Sequence, residues 1–346
     1  MDEAGSAPRR CLIVGPSWVG DMIMAQSLFK LLAARHPEMT IDVLAPAWSE
    51  PLLARMPEVR RAVAQPVGHG RLALGERYRL GRSLRAEGYD WAVVLPNSLK
   101  SALIPWFAGI PRRTGFVGEF RYGLLNDARR LDKSALPRTV QRFAALAVPP
   151  RAPVVLEQLP LPRLSVDAES GEAAAQRLGL ETGQPVLGLC PGAEYGPAKR
   201  WPAEYFAAVA RHYRTLGWQS WVFGSERDRE IAEAVCRDAG PGCVNLAGRT
   251  TLTEATDLMA RCRAVVSNDS GLMHLAAALQ RPLVAVYGSS DPGFTPPLAA
   301  AGAVRIERLG LACSPCFERE CPLGHLECLR GLHPERVVRA LARLAG

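Results

Sequence analysis

Short, nearly continuous apolar runs alternate along this chain with longer stretches of helical period. Residues 11–14, 40–44 and 91–95 are rich in Val, Ile and Leu and read as strands buried on both faces. Residues 22–35 and 77–87 read as helices, each closing near a breaker, Pro37 or Gly88. A second series follows, with strands expected at 186–189, 219–223, 243–246, 264–267 and 283–287 and helices at 203–216, 229–238 and 253–261. Strands that alternate with helices in this way predict the α/β class, with parallel sheets covered by helices on both faces. Between the two series, residues 148–164 contain Pro149, Pro150, Pro153, Pro160 and Pro162 and read as an interdomain linker. The expected organisation is a first domain over 1–163, with 1–8 a disordered tail, a second over 164–330, and a terminal segment 331–346. That segment holds an amphipathic helix with Val337, Val338, Leu341 and Leu344 on one side. Two Rossmann-like domains place the carboxyl ends of two parallel sheets around a cleft, where ligands of such sheets bind.

Composition narrows this picture. At 346 residues, 48% apolar and 22% charged, the chain has material for two cores. No apolar run approaches the ~18 residues of a membrane span. Arg9-Arg10 precedes only four apolar residues before Gly15-Pro16, too few for a signal peptide, and a cytoplasmic protein is expected. The net charge of +8 lies wholly in residues 1–150, with 21 Lys and Arg against 13 Asp and Glu; the remainder holds 21 of each. The first domain is therefore expected to face an anionic partner. No nucleic-acid-binding signature accompanies the charge, so a glycan or lipid at a membrane surface is the fitting class. Cys11, Cys190 and Cys262 lie in or beside apolar runs and read as buried thiols. Cys313, Cys316, Cys321 and Cys328 cluster near His325 and are open to three readings: a structural zinc site, reduced thiols in a loop, or disulfides.

Four segments carry candidate chemistry. Ser267-Asn268-Asp269-Ser270-Gly271-Leu272-Met273-His274 joins a strand to a short helix, and its polar run is longer than one N-cap requires. The free N–H groups and dipole of such a helix start suit a phosphate or diphosphate. Residues 190–202 open the second domain with a Gly/Pro loop, then Lys199 and Arg200, then a helix near Pro202. Cations there would neutralise a diphosphate. Gly15 to Asp21 follows the first strand without the G-x-G-x-x-G spacing, so a dinucleotide site is not supported. What remains is Asp21 at a helix start, either a carboxylate complementing the dipole or a general base. Residues 223–230 end a strand and start a helix, with acidic side chains suited to that dipole or to ribose hydroxyls. His274 alone among the histidines sits in a motif; His36, His69, His212 and His333 show no constellation. No D-x-D occurs, so cations and helix N-termini would do the work that Mg²⁺ does elsewhere.

Taken together these segments resemble the ADP-heptose:lipopolysaccharide heptosyltransferases of glycosyltransferase family 9, over nearly the whole chain. The likeness runs through G-P-S-W-V-G-D-M-I-M-A-Q-S-L, L-P-N-S-L-K-S-A, R-Y-G-L-L-N-D, P-G-A-E-Y-G-P-A-K-R-W-P and N-D-S-G-L-M-H-L-A-A-A-L. It implies a GT-B fold, with acceptor on the first domain, donor on the second, and the terminal helix packing back on the first. It implies an inverting, metal-independent transfer of L-glycero-D-manno-heptose from ADP-heptose to the first heptose of the lipopolysaccharide inner core, with no cofactor required. By the same resemblance Asp21 is the base; Lys199, Asp269, Ser270, Gly271, Leu272, Met273 and His274 hold the donor; Glu230 is a candidate for ribose; and Lys100 and Arg121 for the anionic core. The enzyme would sit peripherally on the cytoplasmic face of the inner membrane. Alternatives are a different acceptor position, a nucleotide-sugar epimerase on the same fold, or a non-catalytic nucleotide-binding scaffold.

Overall fold

The computed structural model describes residues 8–65 and 71–345; residues 1–7 of the expected tail, and His69, lie outside them. The chain forms two compact units, Met1–Pro160 and Leu161–Gly346, and the division falls inside the proline-rich stretch.

The first unit contains β1 (Arg10–Val14), α1 (Val19–Arg35), β2 (Thr40–Ala45), α2 (Glu50–Leu53), β3 (Arg61–Ala64), α3 (Leu74–Leu84), β4 (Trp91–Val94), α4 (Leu99–Phe107), β5 (Arg112–Phe116), β6 (Asp127–Arg129) and α5 (Thr139–Ala145). Its six strands run in the order β3-β2-β1-β4-β5-β6, every pairing parallel. That is the Rossmann order, and the direction of strand addition reverses between β1 and β4. β1 is central: Cys11 stands opposite both Ile41 and Trp91, and Cys11 to Val14 are all buried. The expected strands are the central ones, whose two buried faces demand unbroken apolar residues. The strands that the pattern does not reveal, β3, β5 and β6, carry Arg61, Arg112, Arg113, Asp127 and Arg129. They lie toward the sheet edges, where charge is tolerated and guards against further pairing.

The second unit contains α6 (Ala168–Leu178), β7 (Val186–Cys190), α7 (Ala203–Thr215), β8 (Gln219–Val222), α8 (Arg229–Ala239), β9 (Cys243–Asn245), α9 (Leu252–Ala260), β10 (Ala264–Asn268), α10 (Gly271–Ala278), β11 (Leu283–Val286), β12 (Val304–Glu307), α11 (Glu327–Arg330) and α12 (Pro334–Ala345). The sheet order β12-β11-β10-β7-β8-β9 is the same order again, read from the other edge and again all parallel, with its reversal between β7 and β10. The two expected Rossmann-like domains are thus both present. The terminal helix is built into the second unit. Val337, Ala340 and Leu341 of α12 are buried in the second unit's own core with Trp201, Phe206 and Val286. Its apolar stripe is used there because β10, β11 and α7 leave an apolar trough. No helix among the described residues is long and apolar enough to cross a membrane.

Candidate functional site

The strongest arrangement of polar groups gathers at the reversal point of the second sheet. β7 and β10 end side by side, Cys190 opposite Ser267, and the chain leaves both ends through the segments singled out above. Asn268 ties them together: its Nδ2 donates to the Pro191 carbonyl at 2.7 Å, and its Oδ1 accepts from the Trp201 backbone N–H at 3.0 Å. That clamp brings together two side chains seventy residues apart. Lys199 Nζ lies 2.6 Å from Asp269 Oδ2, and both groups are largely buried. Ser290 Oγ, from the loop after β11, donates to the same carboxylate oxygen. The Asp269 backbone N–H donates to the Val286 carbonyl at 3.1 Å, which fixes the carboxylate at the mouth of the sheet.

α10 begins beside this pair. Ser270 occupies its N-cap position in extended conformation without a side-chain cap, so the first N–H groups of the helix are not closed by that hydroxyl. Gly271, Leu272 and Met273 form its first turn, and His274 follows, 5% exposed. Burial lowers the His274 imidazole to about 4, against an upward pull from Asp269 and with a further downward push from Lys199. It is therefore neutral at pH 7 and can donate or accept a hydrogen bond without adding charge.

Three contributors here were not singled out in the sequence. Tyr195 places its ring 5.0 Å from Lys199 Nζ and donates its hydroxyl to the Phe317 carbonyl at 2.5 Å. Arg319 returns the tie, its Nε donating to the Tyr195 carbonyl at 2.7 Å, and its carbonyl accepts the Ala198 N–H at 3.0 Å. Gly196 is needed at this crossing, since a Cβ there would lie 2.4 Å from the Arg319 carbonyl oxygen. The cysteine-bearing segment thus braces the Lys199 loop. The third is Asp228, which accepts the Ser225 N–H and hydroxyl at 2.9 and 2.8 Å and stands against Gly192 and Gly224. A Cβ on Gly192 would come within 2.4 Å of the Asp228 carboxylate. Glu230, the ribose candidate, is exposed in the first turn of α8.

In the first unit, Asp21 stands half-buried in the first turn of α1, just beyond the carboxyl end of central strand β1. Gly15 serves packing there, because a Cβ would meet Met22 Cε at 2.8 Å and Val43 at 3.1 Å. Lys100 is half-buried in the first turn of α4, which follows β4 across the same reversal point. Arg121 takes a different part from the anion contact expected of it. It is 1% exposed and donates to the carbonyls of Phe116, Pro96 and Ser98, to Ser101 Oγ and to Asn97 Oδ1. Burial lowers its guanidinium to about 10, eased by the charge of Glu119. Its five N–H donors match a ring of protein oxygens, so it ties the loop after β4 to the loop after β5. Arg121→Ala is accordingly expected to destabilise the protein by about 2–4 kcal/mol through carbonyls left unpaired, read by urea or thermal unfolding; an unchanged midpoint would restore a ligand role.

The family model for glycosyltransferase family 9 (heptosyltransferase) matches residues 77–327. The chain belongs to this family of glycosyltransferases. It is 49% identical over 343 residues to lipopolysaccharide heptosyltransferase 2 of Escherichia coli K12, covering 97% of this chain and 98% of that one. It is 51% identical over 298 residues to lipooligosaccharide heptosyltransferase 2 of Haemophilus influenzae, covering 83% and 86%. The solved structure of E. coli ADP-heptose LPS heptosyltransferase II superposes with a TM-score of 0.87 at 46% identity, over 97% of this chain and 98% of that one. The GT-B class expected of a family 9 glycosyltransferase is the class of this fold.

The C-terminal cysteines of this glycosyltransferase are free thiols, Cys313 exposed and Cys316, Cys321 and Cys328 half-buried. Among the described residues no three or more His, Cys, Asp or Glu side chains are arranged to hold a metal ion. Backbone N–H groups of Leu326, then Leu323, Gly324 and His325, favour the Cys321 thiolate and lower its pKa. Burial raises that of Cys328, with smaller upward contributions from Cys316, Cys321 and Cys313. Cys11, Cys190 and Cys262 are fully buried, as expected, and burial pushes each thiol far up.

Proposed function

We propose that this family 9 glycosyltransferase moves L-glycero-D-manno-heptose from ADP-heptose to the first heptose of the lipopolysaccharide inner core, with inversion at the anomeric carbon. The observation that carries the donor half is the Lys199–Asp269 pair at the sheet's reversal point, beside the α10 N-terminus. In the reaction the acceptor hydroxyl gives its proton to Asp21, its oxygen bonds to the anomeric carbon, and the bond from that carbon to the diphosphate breaks. Charge grows on the leaving ADP as this happens, so Lys199 and the N–H groups of Gly271 to Met273 act most strongly in the transition state. Asp269 holds Lys199 and His274 lies close by; Glu230, or Asp228 beside it, takes the ribose. This charge neutralisation is proposed to need no metal ion and no further cofactor. Lys100 and the basic surface of the first unit receive the phosphates and carboxylates of the inner core. The enzyme works in the cytoplasm, peripheral to the inner membrane, where such an acceptor is presented.

The relatives named heptosyltransferase 2 support the acceptor position. The test is transfer from ADP-heptose to cores bearing no, one or two heptoses. Only the one-heptose core is expected to accept. Transfer to the heptose-free core would favour the alternative acceptor, and consumption of ADP-heptose with no acceptor present would favour an epimerase.

A further inference from the structure

α12 has a second face that the core does not use. It lies along β12, the edge strand of the second sheet. Between them is a groove of about 290 Å³ lined by Arg305, Glu307, Arg336, Arg339, Ala340 and Arg343. A strand face under a helix is ordinarily apolar, yet here it presents Arg305 and Glu307. Arg336 is satisfied by Glu307, with Nε and Nη2 at 3.0 and 2.9 Å from Oε2. Arg305, Arg339 and Arg343 make no ion pair with another described residue. An inward-pointing charge on an edge strand can serve only to prevent edge-to-edge pairing. Four arginines around one groove exceed that need, and three unpaired like charges lining a common space repel one another unless an anion joins them.

The anion's chemistry follows from the groups present. Guanidinium forks match phosphate oxygens bidentately, and the one apolar side chain in the lining, Ala340, is too small to stack against a base or a sugar ring. From Arg336 to Arg343 the row spans about 10 Å along the helix, longer than one phosphate and suited to several held side by side. The buried stripe of Val337, Ala340 and Leu341 fixes α12 in the core, so the row keeps its spacing.

We propose that this groove binds the phosphate groups of an anionic lipid surface. The inference rests on the reading that the acceptor is met at a membrane. It gives the second unit, neutral by its residue count, a local basic face of its own.

The test is co-sedimentation of the full chain with vesicles of phosphatidylcholine alone or with added phosphatidylglycerol, comparing wild type with Arg339→Gln/Arg343→Gln. At about a factor of five for each basic residue near such a surface, the double variant is expected to bind the anionic vesicles roughly 25-fold more weakly. Wild-type binding is expected to fall with added salt and to be negligible on neutral vesicles. Both side chains are exposed, and an unchanged unfolding midpoint confirms the fold. Transfer to a soluble acceptor is expected to be unaltered, which keeps failure of this proposal separate from failure of the transfer reading. Equal vesicle binding by both proteins would overturn it. So would weakened binding of inorganic pyrophosphate or of an oligonucleotide with vesicle binding intact.

Discussion

Asp21→Ala is expected to abolish heptosyl transfer while leaving affinity for ADP-heptose nearly unchanged. Two roles compete for this carboxylate, and their magnitudes separate them. A carboxylate that only complements the α1 dipole stabilises the helix by about 0.3–1 kcal/mol, and its loss leaves the folded enzyme active. A general base is worth about 10²–10⁴ in rate. Asp21 sits in the first turn after the central strand of a Rossmann-like sheet, where ligands of such sheets bind. Every group assigned to the diphosphate lies in the other unit, which is why donor affinity should persist. Asp21→Asn, which keeps the shape and removes the base, should be equally inactive. The measurement is turnover with a one-heptose core beside calorimetry with ADP-heptose. A large loss of donor affinity, or transfer within tenfold of wild type, would sink the assignment.

Lys199→Ala is expected to weaken ADP binding roughly 10- to 100-fold, the worth of about 1.5–3 kcal/mol for a hydrogen bond to a charged group. Turnover should fall further, because the leaving diphosphate is more negative in the transition state than when bound. One complication is structural. Lys199 is 2.6 Å from an Asp269 carboxylate that is 5% exposed, and removing one member of a buried pair strands the other. Thermal unfolding of Lys199→Ala should therefore show a loss of stability. Lys199→Ala/Asp269→Ala removes both charges and should recover much of that stability without recovering ADP affinity. Affinity unchanged in Lys199→Ala, or restored in the double variant, would make the lysine a structural partner only.

The central strands were legible because a strand buried on both faces needs a nearly unbroken apolar run; β1, β4, β7, β10 and β11 have one, and β2 is interrupted only by Asp42. The loops that follow β7 and β10 were legible for a related reason: glycine, proline and polar residues gather where a strand must hand over to a helix. The charged edge strands β3, β6 and β12 were not legible, since charge is admitted there, whereas the uncharged edge strand β9 was. Charge totals misled about individual residues. The first unit's excess includes Arg77, Arg121 and Arg129, which are buried and bonded to protein oxygens. The second unit, neutral by count, gathers four arginines along one groove.

The sequence by itself determined two Rossmann-like series, the break between them, and the segments that a diphosphate could meet, because these depend on burial period and turn chemistry within a few residues. The tertiary structure alone decided that Lys199 pairs with Asp269, that Arg121 is spent on loop carbonyls, that residues 317–319 brace the Lys199 loop, and that α12 closes the core of its own unit. Each of these joins residues far apart in the chain. Which distant residues meet is set by strand order and helix seating, and no local pattern of apolar and polar positions carries that information.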